Sequence, residues 1–129
     1  MLGARLTAAT TGLMSITVGG LYLLPEQFVR RPLMPGQINA VQFIEGIGPV
    51  WSLLFALAGV LLLRAAVSKR GFVFGHLATA GIWTFYGLAI LFSAVLTQPP
   101  VPVVAGAIAT FVGLTQMTLA IGCAERGQR

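Results

Sequence analysis

Four long apolar runs, residues 6–24, 50–67, 72–96 and 102–123, are separated by the only stretches in which charge or proline gathers. Each run is about 18 to 25 residues long, and at about 1.5 Å rise per residue a helix of that length matches the roughly 30 Å hydrocarbon thickness of a bilayer. The pattern predicts an all-α integral membrane protein, a single membrane domain over residues 1–129, built as a four-transmembrane-helix bundle of two antiparallel hairpins. The first run follows Arg5 and continues into Tyr22, Leu23, Leu24 and Pro25 without a small-residue cleavage site, so it predicts an uncleaved helix and not a signal peptide.

The connections differ in kind. Residues 97–102 form a tight uncharged turn with Gln98 and three prolines, and the link between the second and third runs is short and holds Arg64, Lys69 and Arg70. Residues 25–49 are the one polar segment of any length, with Glu26, Arg30, Arg31 and Glu45 and prolines at 25, 32 and 35. Within it Pro35 suits the first turn of a helix, and Ile38, Val41, Phe43 and Ile44 recur at spacings that give a mildly amphipathic interfacial helix. Gly46, Gly48 and Pro49 should then break the chain just before Trp51.

Composition supports this picture: 57% of residues are hydrophobic and 9% charged, against roughly 25% charged in a globular domain. The formal net charge of +5 is spread singly and in pairs between apolar runs, which argues against nucleic acid as a partner and for membrane lipid. Arg5, Arg64, Lys69, Arg70, Arg126 and Arg129 fall on one side of the four runs; on the other are only Arg30 and Arg31, offset by Glu26 and Glu45. Basic residues in short connections stay cytoplasmic, so both termini are expected inside, with Tyr22 and Trp51 near the outer interface. Cys123 has no second cysteine to pair with, and the lipoprotein-like string ending there lies far from any leader.

Helices in lipid gain little from leucine against leucine, so small residues that let backbones approach are the association signal. The first run carries Thr7, Thr11, Ser15 and Gly19 at four-residue intervals, and the fourth carries Ala105, Ala109 and Gly113 beside a neighbouring ridge of Gly106, Thr110, Leu114, Thr118 and Gly122. Thr11, Ser15, Gly19, Ala109 and Gly113 are therefore candidate packing residues, either within one bundle or between copies or other small membrane proteins, two uses that ask for the same spacing. Three polar residues stand out: Glu45 at the outer entrance of the second run, His76 about one turn into the third, and Gln116 well inside the fourth. The plain reading of each is interfacial or structural: Glu45 solvated or paired with Arg30 or Arg31, His76 neutral near Arg64, Lys69 and Arg70, and Gln116 hydrogen-bonding across helices together with Thr115 and Thr118. None makes a nucleophile, base and orienter set, and there is no phosphate loop or metal-ligand grouping, so neither an enzyme nor a cofactor is expected. No face carries a run of charge of the kind that lines a charge-selective pore.

The strings Gly48-Pro49-Val50-Trp51-Ser52-Leu53-Leu54-Phe55, Trp83-Thr84-Phe85-Tyr86-Gly87 and Gln98-Pro99-Pro100-Val101-Pro102 together resemble small four-span membrane proteins of actinobacteriophages, which are regarded as holins or holin-like proteins of the lysis cassette. The resemblance covers residues 48–122, and the first run and outer loop share only its general character. It implies a bacteriophage protein that accumulates in the host inner membrane, associates laterally as an oligomer and permeabilises or depolarises the bilayer during host cell lysis. The C-terminal tail, residues 125–129, is shorter and less basic than in many holins. The alternatives are a non-enzymatic accessory subunit of a larger membrane complex and a phage immunity or exclusion factor.

Overall fold

The computed structural model describes residues 1–128 and is all-α: α1 spans Leu2–Leu21, α2 Ala40–Glu45, α3 Val50–Ser68, α4 Phe72–Leu96 and α5 Val104–Glu125, with a 3₁₀ turn at Glu26–Phe28. Three of these helices, α3, α4 and α5, are long and apolar enough to cross a membrane. Helix α1 has 20 residues, but Thr7, Thr10, Thr11, Ser15 and Thr17 dilute its apolar character. Two of those hydroxyls bond their own helix, Thr7 Oγ1 donating to Gly3 O at 3.0 Å and Thr17 Oγ1 to Leu13 O at 2.8 Å, which satisfies them without an outside partner.

The apolar runs and the helices differ most at the two ends of the chain. Helix α1 begins before Arg5 and stops at Leu21, because Tyr22 to Leu24 turn away through bonds from Leu23 N to Gly20 O and Leu24 N to Leu21 O. Arg5 lies inside the helix and donates from Nε to Ala66 O at 2.9 Å, so its charge is spent on the end of α3. Helix α5 starts at Val104, beyond the prolines, and runs on to Glu125. The 25–49 segment departs further from expectation. Pro35 lies in a turn outside any helix, where Gly36 has a φ of +85° and Gln37 Oε1 accepts from Met34 N at 2.9 Å. The only α-helix of the segment is the six-residue α2, started by Asn39, whose side chain accepts from Val41 N at 2.9 Å. The break before Trp51 is where Gly46 and Pro49 predict it: Gly46 ends α2 and Pro49 caps α3.

Chain reversal between α3 and α4 takes only residues 69–71, with Lys69 at φ 59° and Gly71 at φ +83°, left-handed conformations of which the second suits glycine. Helices α1 and α3 run in opposite directions in contact along their length: Arg5 reaches Ala66, a Cβ on Gly12 would lie 3.0 Å from Gly59 O, and one on Gly19 3.1 Å from Ser52 O. Helices α4 and α5 do the same, with Gly87 against Gly106 and Thr110, and Gly113 against Ala80 and Thr84. Helix α3 joins the two pairs by packing on α4, and α2 lies across both.

The core is two clusters at opposite ends of the bundle. One gathers Ala8, Leu62, Ala65, Ala66, Phe72 and Cys123 near Arg5; the other gathers Val41, Trp51, Phe55, Trp83, Ala89 and Ala109 beneath α2. Outward positions are apolar as well: Leu6, Leu13, Leu53, Leu57, Val60, Phe74, Leu88, Phe92, Ile108 and Phe111 are all exposed. A water-soluble surface does not carry so continuous an apolar belt, whereas lipid is the solvent that suits it.

Candidate functional site

Polar side chains collect in two places, the interior of the bundle and the segment that covers one end of it. In the interior, His76 is 1% exposed and its Nδ1 lies 2.7 Å from Gln116 Oε1. An amide oxygen only accepts, so Nδ1 carries the proton. Gln116 Nε2 reaches Thr11 Oγ1 at 3.4 Å, which links α4, α5 and α1 through three buried polar residues. Ser15, fully buried, accepts from Trp83 Nε1 at 3.1 Å, and Thr79 and Ser93 bond carbonyls of their own helix. A file of hydroxyl, amide and imidazole groups thus runs through the middle of a bundle whose outside is apolar.

The sequence-predicted packing residues sit inside this arrangement. Gly12 and Gly19 are buried against α3, Ser15 against Trp83 of α4 and Thr11 beside Gln116 of α5; Ala109 and Gly113 are buried against α4, joined by Gly106, while Ala105 points outward and is exposed. The small residues are thus used within one chain. Of the polar trio, the structure brings His76 and Gln116 together and leaves Glu45 on the covering segment, far along the chain from both. Thr115 and Thr118 do not assist Gln116 across helices; they donate to Phe111 O and Thr115 O. Replacing Gln116 by Leu is expected to lower stability in detergent by about 1 kcal/mol, the usual worth of an interhelical hydrogen bond. His76→Phe in the same chain should recover most of that loss, read as melting temperature, and no recovery would mean that the His76–Gln116 bond does not couple the helices.

The α1–α5 side of the bundle is its least tightly closed seam. A groove of about 450 Å³ opens there, lined by Met14, Ile108, Phe111, Val112, Thr115 and Gln116. Gln116 thus stands between the outside groove and His76.

The covering segment is fastened to the bundle by side chains that sequence reasoning passed over. Trp51 donates from Nε1 to Val41 O at 2.9 Å; Ser93 Oγ accepts from Ala40 N at 2.7 Å, Thr97 Oγ1 donates to Ile38 O at 2.8 Å, and Gln37 Nε2 donates to Pro99 O at 2.8 Å. Beneath it the Tyr22 and Tyr86 hydroxyls lie 2.7 Å apart, inside an aromatic cluster with Trp51, Phe55 and Trp83. Their sequence signal was the placing of Tyr22 and Trp51 at an interface, but Trp51 is 0% exposed and packs as a core residue. Arg30 makes its ion pair with Glu26 at 2.8 Å and not with Glu45. Burial pushes the Glu45 carboxyl above the ordinary carboxylate range; the nearby Arg30 charge pulls it down and Glu26 pushes it up again.

Among the described residues no group of three or more His, Cys, Asp or Glu is placed to hold a metal ion. No protein-family model matches the chain, and comparison with curated proteins and with solved structures finds no match to either.

Proposed function

We propose that this chain is a holin-like, non-enzymatic membrane protein that crosses the bacterial inner membrane four times with both termini cytoplasmic, associates laterally and permeabilises or depolarises the bilayer. The observation that carries the reading is the buried polar file Thr11, Ser15, His76, Trp83 Nε1 and Gln116 inside an outwardly apolar bundle. Opening along the α1–α5 groove exchanges those internal hydrogen bonds for water at small net cost, since a bond to water replaces each one broken. A bundle filled only with leucine and alanine offers no such path.

Four crossings are supported by α1 itself. Its 20 residues reach about 30 Å, it lies against α3 from end to end, and Thr11 and Ser15 are turned inward while Leu6 and Leu13 face out. The cytoplasmic assignment rests on Arg5, Arg64, Lys69, Arg70 and Arg126 at one end of the bundle; Arg129, counted with them, lies outside the described residues.

One observation favours the second reading, an accessory subunit of a larger complex: the closest-packed small residues, Gly12, Gly19, Gly87, Gly106 and Gly113, are engaged inside the monomer and not offered to a second copy. Expression from an inducible promoter separates the two. The lytic reading expects abrupt growth arrest with collapse of membrane potential, followed by a potential-sensitive dye; sustained growth at high expression would overturn it in favour of the subunit.

A further inference from the structure

Gly75 lets α4 approach the last turns of α3: a Cβ there would lie 3.5 Å from Leu61 O. Between that contact and the chain reversal at residues 69–71 lies a second pocket, of about 300 Å³, lined by Leu61, Arg64, Ser68, Arg70, Gly71 and Phe74. Two guanidinium groups therefore open onto one small space. Arg64 comes from one turn inside α3 and Arg70 from the reversal, which Ser68 Oγ ties to the end of α3 by donating to Arg70 O at 3.2 Å, across Lys69 at φ 59°. Neither arginine makes an ion pair among the described residues. The pair that does form, Arg30–Glu26, belongs to the covering segment at the other end of the bundle, and Glu125, the acidic residue at this end, reaches neither arginine. Like charges gathered around one pocket raise the local potential, and an anion is the ligand that lowers it. A phosphate suits best, since guanidinium groups grip its oxygens through two parallel N–H bonds.

The bilayer side of the pocket is apolar. Leu57, Leu61, Arg64 and Ser68 follow one another at three- and four-residue intervals and so form one ridge of α3, and Phe74 and Leu77 do the same on α4. Leu57, Phe74 and Leu77 are exposed, as are both arginines. A soluble anion would use the arginines and leave those apolar side chains bare. A lipid covers them with acyl chains and brings its phosphate to the level of Arg64 and Arg70, whose long stems lie along apolar surface while the charged heads reach the interface.

We propose that the pocket between the end of α3 and the start of α4 binds the phosphate of an anionic phospholipid through Arg64 and Arg70, with the acyl chains along Leu57, Phe74 and Leu77. Net charge sets the lipid class, because a zwitterionic lipid such as phosphatidylcholine carries its own cation to a place that already holds two. Basic pockets between membrane helices at the cytoplasmic face take anionic headgroups for the same electrostatic reason. The site rests on the chain lying in a bilayer and is independent of whether it permeabilises one.

The test is lipid binding to the full chain in detergent, by native mass spectrometry, with phosphatidylglycerol and phosphatidylcholine of identical acyl chains. Phosphatidylglycerol is expected to bind at least tenfold more tightly. Arg64→Gln and Arg70→Gln should each weaken it at least fivefold while changing phosphatidylcholine less than twofold, with melting temperature as the check on folding. Lys69→Gln removes a neighbouring charge that does not line the pocket, and should change phosphatidylglycerol binding less than twofold. Equal binding of the two lipids by the wild-type chain overturns the proposal and needs no variant to be folded. A loss in Lys69→Gln as large as in Arg64→Gln overturns it too, since the attraction would then be spread over the whole basic end. Competition by free glycerol phosphate as strong as by the lipid would overturn the lipid as the source. Because membrane potential is not read, a failure here leaves the lytic reading standing and the reverse also holds.

Discussion

Gly87→Val and Gly113→Val chains are each expected to lose roughly 3 kcal/mol of stability, at the upper end of what overpacking costs, and to melt far below the wild type in mild detergent. At Gly87 a Cβ would lie 2.6 Å from Thr110 N and 2.8 Å from Gly106 O; at Gly113 it would lie 2.8 Å from Thr84 N and 2.9 Å from Ala80 O. Those neighbours are backbone atoms, so no rotamer change makes room and α4 and α5 must move apart. Gly81 is the control, because nothing lies within 4 Å of its Cβ position. Gly81→Ala should be neutral or stabilise by up to about 1 kcal/mol through helix propensity. Thermal melting by circular dichroism or size exclusion reads all three, and a Gly113→Val chain that melts like the wild type would mean the α4–α5 contact is looser than described. If the same substitutions instead left the monomer intact and abolished crosslinked oligomers, the small residues would belong to a contact between copies.

The elements were legible to the extent that hydrocarbon length and punctuation decide them. The third apolar run coincides with α4, Phe72–Leu96, because Gly71 and the prolines after Thr97 mark both ends. The second run ends within a residue of α3 for the same reason. Helix α2 was blurred, since Pro35 and the apolar residues after it also suit a longer helix, and the choice fell to the Asn39 cap and the Gly36 turn. The interior was legible only as residue types. Small residues at four-residue spacing state that something approaches closely but not what, and the approach proves to be α3 for α1 and α4 for α5. His76 was visible as an unusual residue, but its partner is 40 positions away, and a pairing across helices leaves no local trace. The partner of Arg30 was open for a related reason: Glu26 and Glu45 lie in the same loop, and the fold gives Arg30 to Glu26, four residues away, and not to Glu45.

Replacing Trp51 by Ala is expected to cost about 3 to 5 kcal/mol, the range for deleting a fully buried large aromatic, and to free the covering segment as well. The indole fills the space between α3 and the rings of Phe55, Phe85 and Tyr86, at centroid distances of 6.4, 5.4 and 5.1 Å, and its Nε1 is the donor that holds Val41 O. Trp51→Phe separates the two roles. It keeps most of the packed area and removes only the N–H, so its loss should be about 1 kcal/mol, the net worth of the bond to Val41 O. Limited proteolysis of residues 25–49 supplies the second readout: the Ala chain should be cut there at least tenfold faster than the wild type, with the Phe chain between them. Equal cleavage of all three would place the fastening of the segment on Ser93, Thr97 and Gln37, whose bonds to Ala40 N, Ile38 O and Pro99 O lie on its other side.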